Sequence, residues 1–389
     1  MKILYIDVNY KNSSTGKIVY DLYNGMRSFG NATYVAYGRG PKTNDENVFK
    51  FGLNIETILH AFLTRITGFT GCFSFFSTIR LIKFIKKTKP DIIHIHELHS
   101  YFVNFKQLLV YLQKTKIPVI WTFHCEFAYT GKCGYALECN QWKTHCMKCP
   151  QVKKYPKSYF FDFTKVMFES KKKLLSDYNF IIVTPSKWLL ERTNDSFLKK
   201  QDKFVINNGI DSNIFKPYPN TNKNKKLVIT VGQQIFSPIK GGKRVVELAK
   251  KMPEVEFVII GGEKNEHPLN NLTIIQNTRD QSELAHWYSR SDLFLILSVK
   301  ENFPTTCLEA QMCGTPIMGF DTGGTQETSV CSNNLFFPIN ATDDELIKGI
   351  KSMLDKKIDR ESLSMEASRR FSNKTMVLKY LEIYKNIKN

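Results

Sequence analysis

Residues 293–320 read LFLILSVKENFPTTCLEAQMCGTPIMGF, and this stretch decides the fold class. Leu293, Phe294, Leu295, Ile296 and Leu297 form an apolar run of strand length without polar alternation, as expected of a strand buried on both faces. A polar loop follows. Thr305 or Thr306 stands where a helix would be capped, a short helix is predicted over 306–313, and Gly314 is placed to end it. Residues 316–320, opened by Pro316, make a second apolar run. Strand, loop, helix and strand in that order are one βαβ unit, from which parallel sheets are built.

The alternation continues outward. Upstream, strands are predicted over 227–231, 256–260 and 272–276, with helices over 242–251 and 282–289. A separate series starts near the N-terminus: a strand over 2–8 with Ile3, Leu4, Ile6 and Val8, a polar loop, Gly16, a helix over 17–29 and a strand over 31–37. It resumes with strands over 91–96, 118–123 and 180–184 and a helix over 104–114. Between the two series, 207–211 is turn chemistry, and 216–226 is rich in Pro, Asn and Lys. The expected class is α/β, with Rossmann-like doubly wound domains at 1–212 and 227–372 and a linker at 213–226. A C-terminal helix at 373–389, with Val377, Leu378, Leu381, Ile383 and Tyr384 at helical spacing, is expected to dock back on the first domain. Such sheets bind ligands outside the carboxyl ends of their strands, so two of them are expected to face each other across a cleft.

A chain of 389 residues suits two domains, and 42% hydrophobic with 23% charged residues is ordinary globular usage, which excludes a disordered chain. No apolar run approaches the roughly 20 residues that span a bilayer. The segment after Met1 lacks a secretory cleavage site, so a cytoplasmic protein, soluble or peripheral, is expected. Fifty-five basic against 36 acidic residues gives a net charge of +19. That excess suits nucleic acid, an anionic membrane surface, phosphorylated small molecules or a lysine-rich proteome, and composition does not choose among them.

Two segments carry chemistry. In the first, main-chain N–H groups near Pro304, Thr305, Thr306 and Cys307 form an anion site at a helix N-terminus, with Glu301 in the loop and Glu309 expected in the first helical turn. Two carboxylates reaching hydroxyls on either side of a bound phosphate would make a nucleotide-sugar pocket. In the second, Lys240 follows a strand end beside Gly241 and Gly242, which supplies a point charge and open N–H groups for a pyrophosphate.

These residues carry a resemblance. Glu301-Asn302-Phe303-Pro304 through Glu309, Cys313-Gly314-Thr315-Pro316 and Gly323-Gly324 with Glu327 resemble the donor-site signature of family 4 glycosyltransferases, which have the GT-B fold and retain the anomeric configuration. Residues 90–99, 121–124, 129–133 and 142–150 are similar to the colanic-acid and capsule branch of that family, and 205–211 with Phe215 to its crossover between domains. The resemblance implies that Glu309 holds the donor ribose, Glu301 the sugar hydroxyls and Lys240 the pyrophosphate leaving group. It places Gln233, Asn302, Phe303, Pro304 and Thr305 in the donor site, His124 near the reacting centre, and Gly16 where backbone approaches donor phosphate or acceptor. The chain also departs from the family. Gln233 stands where many members have Arg, Asn302 where Gly is usual, and Cys125 where an Asp often follows the histidine.

His94 and His96 share one sheet face by period two. Metal ligation, a satisfied place in the core, and acceptor contacts through His96, Glu97 or His99 all stay open. Cys133, Cys139, Cys146 and Cys149 crowd into a loop within 125–150, with one C-x-x-C pair. Four thiolates suit a closed, structural zinc site, with disulfides and free thiols as alternatives. No Asp-x-Asp motif is present, so no catalytic cofactor or divalent ion is expected. Residues 58–76 are apolar around Arg65. A helix over 78–89 sets Leu81, Ile82 and Ile85 on one face and Arg80, Lys83 and Lys87 on another, a pattern suited to an anionic membrane surface.

The reading that joins these features is a retaining, metal-independent hexosyltransferase, peripheral on the inner face of the cell membrane. It would move a sugar from a UDP- or GDP-sugar to a lipid-linked or growing glycan in capsular, exopolysaccharide or O-antigen assembly. A sugar-nucleotide epimerase or a phosphorylase on the same fold is the enzyme alternative. A zinc-stapled basic protein that binds nucleic acid is the other, although no nucleic-acid motif is present and the basic residues are spread over both domains.

Overall fold

A computed structural model of the chain describes residues 1–219, 225–262, 269–276, 278 and 280–388. It divides into two compact units, Met1–Asn207 with Val377–Asn389, and Asn208–Met376.

The first unit runs β1 (Lys2–Asp7), α1 (Ser14–Ser28), β2 (Ala32–Tyr37), β3 (Val48–Lys50), α2 (Asn54–Thr67), α3 (Phe75–Thr88), β4 (Ile92–Ile95), α4 (Phe105–Lys114), β5 (Val119–Thr122), α5 (Thr164–Leu175), β6 (Ile181–Thr184), α6 (Lys187–Asn194) and β7 (Lys203–Val205). The sheet order is β3-β2-β1-β4-β5-β6-β7. Every pairing is parallel, with Ile3 against both Thr33 and Ile92. Leu4, Ile93, Ile95 and Ile120 are wholly buried, which explains why these strands read as unbroken apolar runs.

The second unit runs β8 (Leu227–Val231), α7 (Gly242–Lys251), β9 (Glu256–Ile260), β10 (Leu272–Ile275), α8 (Gln281–Arg290), β11 (Leu293–Ile296), α9 (Thr305–Met312), β12 (Ile317–Phe320), β13 (Leu335–Phe337), α10 (Asp343–Asp355) and α11 (Arg360–Phe371). Its sheet is again wholly parallel, in the order β10-β9-β8-β11-β12-β13. In each unit the first strand sits in the middle and the chain winds outward to both sides. The switch point therefore falls between β1 and β4 in the first unit and between β8 and β11 in the second, where loops leave the carboxyl ends in opposite directions. α12 (Asn373–Lys388) ends the chain. From Val377 on it belongs to the first unit, where the Tyr384 hydroxyl is 2.6 Å from His94 Nδ1 and the Tyr380 hydroxyl 2.8 Å from Thr122 Oγ1.

Several expectations are corrected. α1 begins at Ser14 because the Ser13 hydroxyl accepts the Gly16 N–H at 3.0 Å, which puts Gly16 in the helix's first turn and not in the loop before it. α9 begins at Thr305 behind Pro304, and neither threonine caps it. Part of the expected linker is packed structure: Phe215 is fully buried and the Tyr218 N–H donates to Ser289 Oγ at 3.1 Å, so the second unit starts at Asn208. Of the linker, 220–224 lie outside the described residues. Three edge strands of three residues each, β3, β7 and β13, went unpredicted because so short a run shows no periodicity. Among the described residues no helix is long and apolar enough to cross a membrane.

Candidate functional site

The switch point of the second unit gathers the residues singled out for donor chemistry. The loop after β8 brings Lys240 to Glu301, which follows β11, with Nζ and Oε1 2.6 Å apart. Glu301 is 8% exposed, so its charge needs this partner. The loop is pinned from the other side by Gly323, whose φ is +59° and whose missing side chain makes room for the Glu301 carbonyl; a Cβ there would lie 1.6 Å from that oxygen. Just beyond, α9 presents an N-terminus that no side chain caps, leaving first-turn N–H groups to a ligand.

The placement of the other predicted donor residues is mixed. Glu309 lies in the second turn of α9, not the first, and is 8% exposed, with its Oε2 accepting the hydroxyl of fully buried Tyr288 at 3.1 Å. Phe303 sends its ring into the core against Phe371, at 5.6 Å between centroids, so it offers the loop only its backbone. Asn302 and Pro304 are buried in the same loop, Thr305 is half-buried, and Gln233 is exposed beyond β8. Gly16 is crowded by its own turn: a Cβ would meet Ser13 Oγ at 3.0 Å and Asn9 O at 3.1 Å.

In the first unit, the switch point between β1 and β4 holds a group that sequence reading missed. Asp7, within the strand predicted over 2–8, is fully buried; it accepts the Glu97 N–H at 3.0 Å and the Thr15 hydroxyl at 3.1 Å, and so ties the two switch-point loops together. Burial, with the Glu97 carboxylate near, pushes its carboxyl from 3.8 up to about 7. The folded value lies above the unfolded one, so the stability Asp7 contributes is complete below pH about 4 and lost as pH rises through about 7. Relative to Asp7→Asn, the wild-type melting temperature is therefore expected to fall between these two pH values. Parallel pH profiles for the two proteins would show that Asp7 is not the group responsible.

The histidines separate. His94 is satisfied core: Nδ1 meets Tyr384 and Nε2 meets Thr122 Oγ1 at 2.8 Å. His96 stacks on His124 with Nδ1 and Nε2 3.0 Å apart, while its buried Nε2 has no hydrogen-bond partner. Burial holds His94 and His96 well below the ordinary imidazole range and His124 at about 4, so all three are neutral near pH 7. His99 behaves oppositely. Burial disfavours its charge, but the Glu97 carboxylate 3.3 Å away outweighs burial and raises it. Glu97 in turn is raised by burial and held below its usual value by His99. Glu97, His99 and Cys125 also form the one described set of His, Cys, Asp or Glu ligand atoms lying within 4.8 Å of one another. Their ion pair and the Cys125 thiol donating to Glu97 at 3.5 Å account for that closeness. The four predicted zinc ligands do not form such a set, although all four line one cavity of about 20 Å³ and none is in a disulfide.

Two doubly wound parallel units, each with its polar groups at the switch point, define a glycosyltransferase of the GT-B class. Solved structures of that architecture superpose on the whole chain. Sucrose-phosphate synthase of Thermosynechococcus elongatus does so with a TM-score of 0.72 at 15% identity, covering 100% of this chain and 99% of its own. Alr3699/HepE of Anabaena, solved in complex with UDP-glucose, gives 0.67 at 14% identity, covering 99% and 100%. The chain belongs to glycosyltransferase family 4: the profile of Glycosyltransferase Family 4 matches residues 15–213, and that of Glycosyl transferases group 1 matches 211–370. It is 23% identical over 349 residues, 84% of this chain and 85% of the other, to WcaC of Escherichia coli strain K12, a glycosyl transferase whose name places it in colanic acid biosynthesis.

Proposed function

We propose that this glycosyltransferase moves a hexose-type sugar, with retention at the anomeric carbon, from a UDP- or GDP-sugar to a lipid-linked or growing glycan in capsular, exopolysaccharide or O-antigen assembly. The observation that carries the reading is the Lys240–Glu301 pair beside the uncapped N-terminus of α9, at the switch point of the second unit. The Lys240 ammonium and the helix N–H groups take up charge as the nucleoside diphosphate departs, Glu301 orients the sugar hydroxyls and Glu309 the ribose. Neutral His124, with His96, Glu97 and His99, serves the sugar and the acceptor from the first unit. No divalent ion is needed where a fixed ammonium neutralises the leaving group. The complexes of Alr3699/HepE with UDP-glucose and the likeness to WcaC support the donor class and the pathway.

A lipid-linked acceptor implies work at the inner face of the cell membrane, and the first unit offers a surface for it. Ile55, Ile58, Leu59 and Phe62 stand out along α2, and Phe75, Phe76 and Ile79 at the start of α3. Glu56 of α2 accepts the Phe76 and Ser77 N–H groups at 2.8 and 2.7 Å, which joins the two rows. Lys83, Lys86 and Lys87 are exposed on α3. Arg80, expected on that basic face, instead donates to the Lys50 carbonyl and lies over Phe49, so it contributes less.

The test is transfer from UDP- and GDP-sugars to a lipid-linked acceptor in anionic vesicles, with product anomer read by NMR. Transfer with retention is expected. Combining Ile58→Asp, Phe62→Asp and Phe76→Asp should cut vesicle binding and transfer at least about tenfold, since each buried apolar side chain is worth roughly 1.5–3 kcal/mol, while leaving donor binding intact. Isomerisation or hydrolysis of the donor with no transfer to any glycan would overturn the reading in favour of an epimerase or related activity.

A further inference from the structure

We infer that Cys133, Cys139, Cys146 and Cys149 form a zinc-binding site that fixes the loop packed against His99. All four thiols are free, half-buried and turned to one cavity of about 20 Å³, room for a single ion or water. The Gly131 N–H already donates to Cys146 Sγ at 3.3 Å, the kind of bond that orients thiolate ligands, and a Cβ on residue 131 would meet the Thr164 carbonyl at 2.7 Å and the Cys146 Cβ at 3.2 Å. In the C-x-x-C pair, Lys148 takes a φ of +47°, which curls the chain between Cys146 and Cys149.

Two buried cations supply a second, independent observation. Lys132 is 1% and Lys171 3% exposed; among the described residues neither has a carboxylate at ion-pair distance. Lys132 Nζ donates to the carbonyls of Val152 and Pro156 at 2.6 Å, and Lys171 Nζ to those of Phe127 at 2.6 Å and Thr130 at 3.0 Å. The groups that favour their charge are Cys149, Cys133 and the Asp162 carboxylate for Lys132, and Cys146, Cys72, Cys125 and Cys133 for Lys171. Buried ammonium groups call for a counter-charge. Four thiolates on one Zn²⁺, formed by release of four protons, carry a net charge of −2 and meet that need. Closing the tetrahedron requires the sulfurs to draw together, since no three of them lie within 4.8 Å of one another here.

The loop has a task worth fixing. Its Gly134 carbonyl accepts the Glu126 N–H at 2.8 Å, and its Ala136 N–H donates to Glu126 Oε2 at 2.7 Å. A Cβ on Gly134 would lie 3.9 Å from both His99 Nε2 and the Cys125 Cβ. The metal would thus hold the wall beside the Glu97–His99 pair.

The experiment is elemental analysis of the full chain, purified without a metal-binding tag from zinc-supplemented culture. About one zinc per chain is expected, falling about tenfold in Cys146→Ser and Cys149→Ser and unchanged in Cys331→Ser, which lies in the second unit. Because ligand variants can fail to fold, the wild type is also stripped with a chelator and refilled with Co²⁺. The intense visible spectrum of tetrahedral cobalt thiolate is expected, and chelation should lower the melting temperature while leaving donor affinity unchanged. Zinc-free wild type with nine titratable thiols, disulfides in the metal-free protein, or a weak octahedral cobalt spectrum would each overturn the site. The zinc, thiol, cobalt and melting readouts do not depend on the sugar-transfer reading.

Discussion

Lys240→Ala is expected to lower the transfer rate by about 10²–10³-fold, the usual loss when one preorganised charge is taken from a developing anion. Lys240 Nζ sits 2.6 Å from Glu301 Oε1 at the carboxyl end of β8, where Gln233 brings no charge of its own. With Lys240 gone, the diphosphate would depart against the helix N–H groups alone, and the Glu301 carboxylate would lose its partner. Side-chain exposure is 33% for Lys240 but only 10% for Glu301, so the variant also leaves a largely buried carboxylate unpaired and is expected to lower the melting temperature. Steady-state kinetics separate the effects: a fall in kcat with kcat/KM marks an interaction made in the transition state, whereas a rise in KM alone marks ground-state binding. Near-normal turnover would remove Lys240 from the donor site.

Glu309→Ala is expected to lose donor affinity and stability together. A carboxylate facing a ligand cleft would be truncated at little cost to stability; in the structure Glu309 is 8% exposed and receives the hydroxyl of Tyr288, which has no exposure at all. Leaving that hydroxyl unpaired costs about 1–3 kcal/mol. Glu309→Gln separates the two roles. Its carbonyl still accepts from Tyr288, so the melting temperature should stay near that of the wild type, while donor affinity falls by about tenfold as a charge-assisted contact to a ribose hydroxyl becomes neutral. Calorimetric titration with UDP- and GDP-sugars reads this directly. Glu309→Gln that binds donor as well as the wild type would assign Glu309 a packing role only.

What could be read early follows from how each feature is encoded. The Lys240 and Glu301 segments were legible because each is local: an apolar run, a turn and a helix start within a dozen or so neighbours, and any parallel sheet brings such loops to one edge. Glu309 was half legible, since its helix was found but its place within the helix slipped by one residue, from the first turn into the second, when Pro304, not a threonine, took the N-terminal position. The cysteine loop was legible as a cluster, but the two lysines beside it were not, because a lysine gives no sign of burial until the chain has closed over it. The basic face of α3 was overread, since Arg80 finds the Lys50 carbonyl across the sheet edge.

By itself the sequence determined the alternation of strands and helices, the two-fold recurrence of the parallel unit and the loops that carry chemistry, because side-chain periodicity and turn residues act over a few positions. Tertiary structure alone decided strand order, and with it the two switch points. It decided that Asp7 ties β1 to the loop of Glu97, 90 positions on, and that His94 is closed off by Tyr384, 290 positions away. Such partners are set by which strands become neighbours, and a residue's desolvation, its charge state and its freedom to meet a ligand all follow from that choice.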